Sequence, residues 1–290
     1  MQEDNPRKVV DHVPSIESNA ETVRKIIEAI SKRTGEPEYK TGLSVFDEGI
    51  FGLHKTMLTI LAARAGQGKT SMAVQLAFNM AALGKHVAFI SLEMSRESIF
   101  GKIFCYLNKI DVSKFFRYPP TPDTLSKLQD FEKIMAEIPL RVIDDYCFTQ
   151  NELYTLIEHL EYRPEVLILD HLQHIRASST RHSERENLSE YLRFLKELAM
   201  RYKMAVLCLS QINREGDSDP TIRHLKGSGS IEEMADHILI LNIIREETAL
   251  NTPPPVLENA RVAIGKNRYG IVGYMDLMFE GRYGRFLNKA

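Results

Sequence analysis

The stretch Thr59-Ile60-Leu61-Ala62-Ala63-Arg64-Ala65-Gly66-Gln67-Gly68-Lys69-Thr70 decides the fold. It reads as a buried strand (Leu58–Ala62), a glycine-bearing loop, and a Lys-Thr pair opening a helix (Lys69–Leu83), the layout of a phosphate-binding P-loop. Gly66 and Gly68 let the backbone wrap closely round a phosphate, which a Cβ would obstruct. Loop amides and the following helix N-terminus point at the anion. Lys69 supplies a cation for the β/γ-phosphates and Thr70 a hydroxyl for Mg²⁺. The strict pattern G-x-x-x-x-G-K-[ST] has glycine where this chain has Ala63, but the flanking strand and helix are both present. The candidate nucleotide site is therefore Arg64, Ala65, Gly66, Gln67, Gly68, Lys69, Thr70 and Ser71, for ATP or another nucleoside triphosphate with Mg²⁺.

Outward from this loop, short apolar runs alternate with helical patterns. Strands are expected at His86–Ser91, Leu140–Ile143, Val166–Leu169, Ala205–Leu209, His237–Leu241, Ala260–Ile264 and Tyr274–Phe279. Helices are expected at Arg96–Leu107, Thr121–Ile138, Gln150–Glu161, Glu184–Tyr202 and Ser230–Ala235. Continuous apolar strands suit a sheet covered on both faces, so the fold class is α/β: a mostly parallel, doubly wound sheet with an antiparallel edge in the last third. Ala20–Lys32 is an amphipathic helix with Val23, Ile26, Ile27 and Ile30 on one face, set off from the body by Gly35-Glu36-Pro37. Its stripe can fold back on its own domain or dock on a neighbouring subunit. Met1–Ser18 is polar and expected to be poorly ordered; Arg214–Lys226 reads as a mobile surface loop, and Thr252-Pro253-Pro254-Pro255 as a loop.

Three strand ends carry chemistry. Asp170 closes an apolar strand and is placed to hold Mg²⁺ beside Thr70. Glu93 ends Phe89-Ile90-Ser91-Leu92-Glu93, placed to activate an attacking water. Gln211 ends a third strand and can sense or orient a γ-phosphate. Lys266 and Arg268 share one side of a strand-like segment, where they can serve as a cation for transition-state charge, in cis or from a neighbour, or be simply solvated. Lys226-Gly227-Ser228-Gly229 is a glycine loop whose amides can hold a nucleic-acid phosphate, or a plain turn before a helix. His171 and His174 lack third and fourth partners at metal-ligand spacing and are not read as ligands.

The bulk composition narrows the class. With 290 residues, 43% hydrophobic and 26% charged, the chain is an ordinary globular protein with room for one large α/β domain, or one domain plus an appendage. The net charge of −2 gives no global basic signal for nucleic acid, though a local groove can still be positive. Cys105, Cys147 and Cys208 are scattered without a C-x-x-C and read as interior residues of a protein of the reducing cytosol. No apolar run approaches about 18 residues, so no membrane span is expected.

Taken together, these segments resemble the ATPase domain of DnaB-type replicative hexameric helicases, within the RecA-like P-loop group. The resemblance runs from Tyr39 to about Asn288 and rests on Thr41-Gly42-Leu43 with Phe46-Asp47, Ala63–Thr70, Ser91-Leu92-Glu93-Met94-Ser95, Leu169-Asp170-His171-Leu172-Gln173, Leu209-Ser210-Gln211-Ile212-Asn213-Arg214, Gly229-Ser230-Ile231-Glu232 and Gly265-Lys266-Asn267-Arg268 with Gly270. That family commonly has Ala-Arg at the positions of Ala63-Arg64, so the departure from the strict P-loop becomes support. The resemblance implies Glu93 as catalytic base, Asp170 as metal-side carboxylate, and Gln211 coupling the γ-phosphate to the DNA loops. It also implies Arg268 as an arginine finger into the adjacent subunit with Lys266 beside it, and Lys226–Gly229 facing single-stranded DNA. Residues 1–38 then form a flexible N-terminus and a subunit-docking linker helix, and residues 39–290 the ATPase domain. The implied protein is a cytoplasmic homo-oligomer, expected to be a hexamer, moving 5′→3′ on single-stranded DNA, with a helicase loader and primase as further partners. The competing class is a RecA-like ATPase ring that binds DNA or protein without unwinding. The family's larger N-terminal helical domain has no room ahead of Tyr39, so the chain reads as an excised fragment or a naturally short phage or mobile-element version. His171 stands where the family often has Tyr, and its side chain is expected to point away from the nucleotide.

Overall fold

The computed structural model describes residues 18–32, 34–144, 149–172, 184–212, 221–225, 228–245 and 256–289. The chain divides after Glu36. On the N-terminal side, helix α1 (Asn19–Ser31) starts where the Ser18 hydroxyl accepts the Glu21 N–H. Taken alone, it leaves Val23, Ile26, Ile27 and Ile30 each about half exposed.

The main unit, from Pro37 onward, builds a nine-stranded sheet from its described residues. In chain order the elements are α2 (Ser44–Asp47), β1 (Leu58–Ala63), α3 (Lys69–Ala82), β2 (Val87–Ser91), α4 (Arg96–Asn108), α5 (Val112–Arg117) and α6 (Pro122–Glu137). They continue as β3 (Leu140–Ile143), α7 (Gln150–His159), β4 (Val166–Asp170), α8 (Glu184–Tyr202), β5 (Ala205–Gln211) and α9 (Ser228–Met234). The last four are β6 (His237–Ile244), β7 (Glu258–Asn267), β8 (Gly273–Glu280) and β9 (Arg285–Asn288). The sheet order is β3-β2-β4-β5-β1-β6-β7-β8-β9, parallel as far as β6 and antiparallel beyond. β1 thus lies centrally, between β5 and β6.

Alternation along the strands feeds two cores. Leu61, Ala63, Phe89, Ile168, Leu207 and Leu239 face α3 and α4; Ile60, Ala62, Ile90, Leu167, Val206 and Ile238 face α7 and α8. Both faces are buried, which is why these strands read as unbroken apolar runs.

Four elements had no signal in the periodicity. α2 and α5 are too short to show a helical repeat; α2 is fixed by the Asp47 carboxylate, which accepts the Thr41 N–H (2.7 Å) and Gly42 N–H (2.8 Å). A 3₁₀ turn, Ile222–His224, followed by buried Leu225 corrects part of the mobile-loop expectation: Leu225 bridges Ile212, and Ile222 packs under Gly265. β9 lies on α3 through Gln75, whose amide donates to the Phe286 carbonyl (2.9 Å) and accepts the Phe286 N–H (2.8 Å). α9 begins two residues ahead of expectation, so Ser228 and Gly229 belong to a helix rather than a loop. Lys226 and Gly227, the segments 1–17, 213–220 and 251–255, and His174 lie outside the described residues.

Candidate nucleotide site and its relatives

The carboxyl ends of β1, β2, β4 and β5 come together beside the loop between β1 and α3. Register sets this: Ala63 lies opposite Gln211, and Ser91 opposite Asp170. Ligands gather at such an edge because helix N-termini and loop amides face it. Gly66 and Gly68 both take positive φ, 76° and 75°, and Gly68 is the N-cap of α3.

A cavity of about 980 Å³ opens over this edge. Arg64, Ala65, Gly66, Gly68, Lys69, Thr70, Ser71, Glu93 and Gln211 line it, so most of the expected residues are brought together. Gln67 is not among them; its side chain turns back to accept the Ile243 N–H at 2.6 Å and ties the loop to β6. Behind the loop, Thr70 Oγ1 donates to Asp170 Oδ2 at 2.7 Å and Lys69 Nζ lies 4.0 Å from Asp170 Oδ1. Burial pulls Lys69 below the ordinary lysine value and pushes Asp170 above the ordinary carboxylate value, each partner's charge opposing the other's shift. Among the described residues, buried Asp170 Oδ1 has no hydrogen-bond partner. A hydroxyl beside an orphaned carboxylate oxygen is an all-oxygen donor set of the kind Mg²⁺ takes.

Glu93 projects from the turn after β2. Ser91 Oγ shapes that turn, accepting the Met94 N–H at 3.0 Å and donating to the Met94 carbonyl at 2.6 Å. The Glu93 side chain remains about half exposed, open to water in the cavity. His171 corrects its expectation: its ring turns toward the site, with Nδ1 3.2 Å from Glu93 Oε2 and 3.8 Å from Asp170 Oδ1. The reason is packing, since His171 is buried immediately after β4, where the ring abuts the Glu93 turn. Glu93, Asp170 and His171 each offer a ligand atom within 4.8 Å of one another.

Lys266 and Arg268 lie elsewhere. β7 runs antiparallel to β6, so its end at Asn267 lies beside His237, at the opposite edge of the sheet from the P-loop. About 15 Å of strand separates the two edges. Gly265 falls at the bulge in this pairing. Beyond it, Lys266 Nζ donates to the Glu232 carbonyl at 2.5 Å and Arg268 Nη1 to Asp236 Oδ1 at 2.7 Å.

Residues 39–288 match the family model described as the DnaB-like helicase C-terminal domain. The chain belongs to that family. It is 31% identical over 303 residues to the replicative DNA helicase DnaB of Haemophilus influenzae, covering 99% of this chain and 62% of that one. It spans 54% to 63% of the length of such curated relatives. Among solved structures it is similar to one described as an ATPase domain, with a TM-score of 0.83 and 24% identity over 95% of this chain and 100% of that one. A structure of a DnaB-like replicative helicase and its interactions with primase gives a TM-score of 0.82 and 24% identity over 94% and 69% of the two chains. Together these establish a DnaB-like domain on a RecA-like α/β fold.

This DnaB-like domain also places residues in the cavity that motif reading passed over. Lys102 on α4 reaches it, with Nζ 3.5 Å from Ser71 Oγ. Burial pulls its pKa below the ordinary lysine value, against the attraction of Asp170. Its signal was a lone cation in Ile99-Phe100-Gly101-Lys102-Ile103-Phe104. Arg245, just past β6, joins the rim, its Nε donating to Glu258 Oε1 at 2.8 Å. Nothing in the local sequence ties Arg245 to the P-loop; only strand order does. Cys105 and Cys208 are buried free thiols, as expected of interior residues, while Cys147 lies outside the described residues.

Proposed function

We propose that this chain is the motor domain of a ring-shaped helicase that hydrolyses ATP, travels 5′→3′ on single-stranded DNA and unwinds duplex at replication forks. One observation carries the reading: Lys69, Glu93 and Gln211 line one cavity with Thr70 and buried Asp170 at its base, while Arg268 stands at the opposite sheet edge. On this reading the cavity, which already holds Lys69, Lys102 and Arg245, gains a further cation when a second copy presents its Arg268. Closed homo-oligomers allow this by head-to-tail contact. A hexamer is the proposed assembly, with the Val23–Ile30 stripe of α1 docked on the next copy.

Thr70 and Asp170 would hold Mg²⁺, which offsets charge on the phosphate oxygens when bound. Loop amides and Lys69 orient the β/γ-phosphates. Glu93 takes a proton from the attacking water, and Gln211 orients that water and passes the state of the site to the DNA segment Lys226–Gly229. The neighbour's Arg268 neutralises charge developing in the transition state, an effect typically worth about 10³–10⁵ in turnover. The relatives' names support replication as the setting and primase as a partner; a cytoplasmic location and a helicase loader go with that setting.

Steady-state ATPase activity across protein concentration, with and without single-stranded DNA, tests the reading. Turnover should rise with both, and vanish in Glu93→Gln; Arg268→Ala should hydrolyse nothing yet bind nucleotide normally. Full activity in Arg268→Ala would remove the interface assignment. Turnover indifferent to DNA would favour a non-motor ring.

A further inference from the structure

Asp236, between α9 and β6, is a meeting point of four segments. Its Oδ2 accepts the Leu58 N–H at 2.8 Å and Lys196 Nζ at 2.5 Å, and its Oδ1 accepts Arg268 Nη1 at 2.7 Å. Its carbonyl also accepts the Arg268 N–H at 3.0 Å. The Asp236 side chain is 2% exposed, whereas that of Arg268 is 55% exposed. A buried carboxylate, fixed from beneath by the start of β1 and by α8, therefore holds one terminal nitrogen of a guanidinium whose side chain is otherwise half exposed. Burial works against the Asp236 charge, yet the bonds from Lys196, Leu58 and Arg268 hold its pKa below the ordinary carboxylate value. A guanidinium has five donors in a rigid fork, so one nitrogen bound to Asp236 leaves others to reach an anion.

We propose that Asp236 is a positioning residue for Arg268, pre-orienting the guanidinium that one copy delivers to the nucleotide site of the next. The inference rests on the reading of Arg268 as a cation supplied in trans. Asp236 touches no nucleotide; it acts through Arg268. It also bonds the first residue of the strand that leads to the P-loop, which anchors that cation to the sheet itself.

Mixed assemblies separate the two claims. Lys69→Ala copies carry Arg268 but cannot hydrolyse; Arg268→Ala copies keep an intact Lys69 site but lack the cation. Mixing them should regain ATPase activity. No regained activity would overturn the reading in trans and the proposal with it. With activity regained, Asp236→Asn is added to the Lys69→Ala donor. The regained turnover should fall on the order of tenfold to a hundredfold, as misplacement of a catalytic group does, with KM for ATP unchanged. The same Asp236→Asn placed in the Arg268→Ala acceptor, which has no guanidinium to position, should cost regained turnover far less than in the donor, whereas a merely structural role would cost both alike. Equal loss on both sides, or no loss in the donor, would overturn the proposal. Should thermal melting show the donor unfolded, Lys196→Met with Asp236→Asn removes the buried carboxylate and its partly buried partner charge together and should give the same one-sided loss.

Discussion

Gly66 and Gly68 share a left-handed backbone but not a neighbourhood, and substituting each by alanine should separate conformational strain from packing. A Cβ on Gly66 would meet nothing within 4 Å; one on Gly68 would lie 3.0 Å from Phe286 Cζ and 3.4 Å from Ile243 Cδ1. Forcing a non-glycine residue into the left-handed region costs about 1–2 kcal/mol. Overpacking a filled core costs a further ~1–3 kcal/mol. Phe286 cannot easily retreat: it is buried, packed against Phe279 with centroids 4.6 Å apart and rings tilted by 34°, and held at both backbone groups by Gln75. Gly66→Ala should therefore destabilise by about 1–2 kcal/mol, and Gly68→Ala by the sum, about 2–5 kcal/mol. For a domain of this size each kcal/mol lowers Tm by about 2–4 °C. The decisive assay is a double-mutant cycle by urea unfolding without nucleotide, with Phe286→Leu as the second substitution. It should return about 1–3 kcal/mol of coupling with Gly68→Ala and none with Gly66→Ala. Equal destabilisation by the two alanines, with no coupling to Phe286→Leu, would refute the reasoning that Phe286 leaves no room for a Cβ at Gly68.

Two further outcomes follow from buried charge. Burial lowers His237 from 6.5 to about 4, with His54 adding to the shift, so the ring stays neutral in the fold while the unfolded chain takes up a proton first. Stability is therefore lost as pH falls through that window, by about 3 kcal/mol at most; His237→Gln should flatten the decline in urea midpoints, and an unchanged slope would contradict the assignment. Lys102→Met should weaken nucleotide binding about tenfold to a hundredfold, the worth of one hydrogen bond to a charged group. Titration with a fluorescent nucleotide analogue checks this, and unaltered affinity would move Lys102 out of the site.

Local pattern was enough to read the doubly wound sheet and to mark the candidate phosphate loop. Unbroken apolar strands between helices demand two covered faces, and Gly66, Gly68, Lys69 and Thr70 place their proposed chemistry within five residues. Asp170 and Glu93 were legible for the same reason: each polar group ends an apolar strand, and strand ends collect at one edge. The remaining features depend on contacts between distant segments, which outweigh local signals once the chain is folded. Gln67 faces β6 and His171 faces Glu93 because of what packs against them. Lys102 and Arg245 enter the cavity because α4 and β6 border it. β9 is four residues long and is held by the side chain of Gln75, 211 positions away, too far for any periodicity to register. Arg268 lies in a recognisable motif, but its distance from its own P-loop follows only from β7 running antiparallel to β6. That reversal sets its cation away from the chain's own candidate nucleotide site, and Asp236 lies beside it.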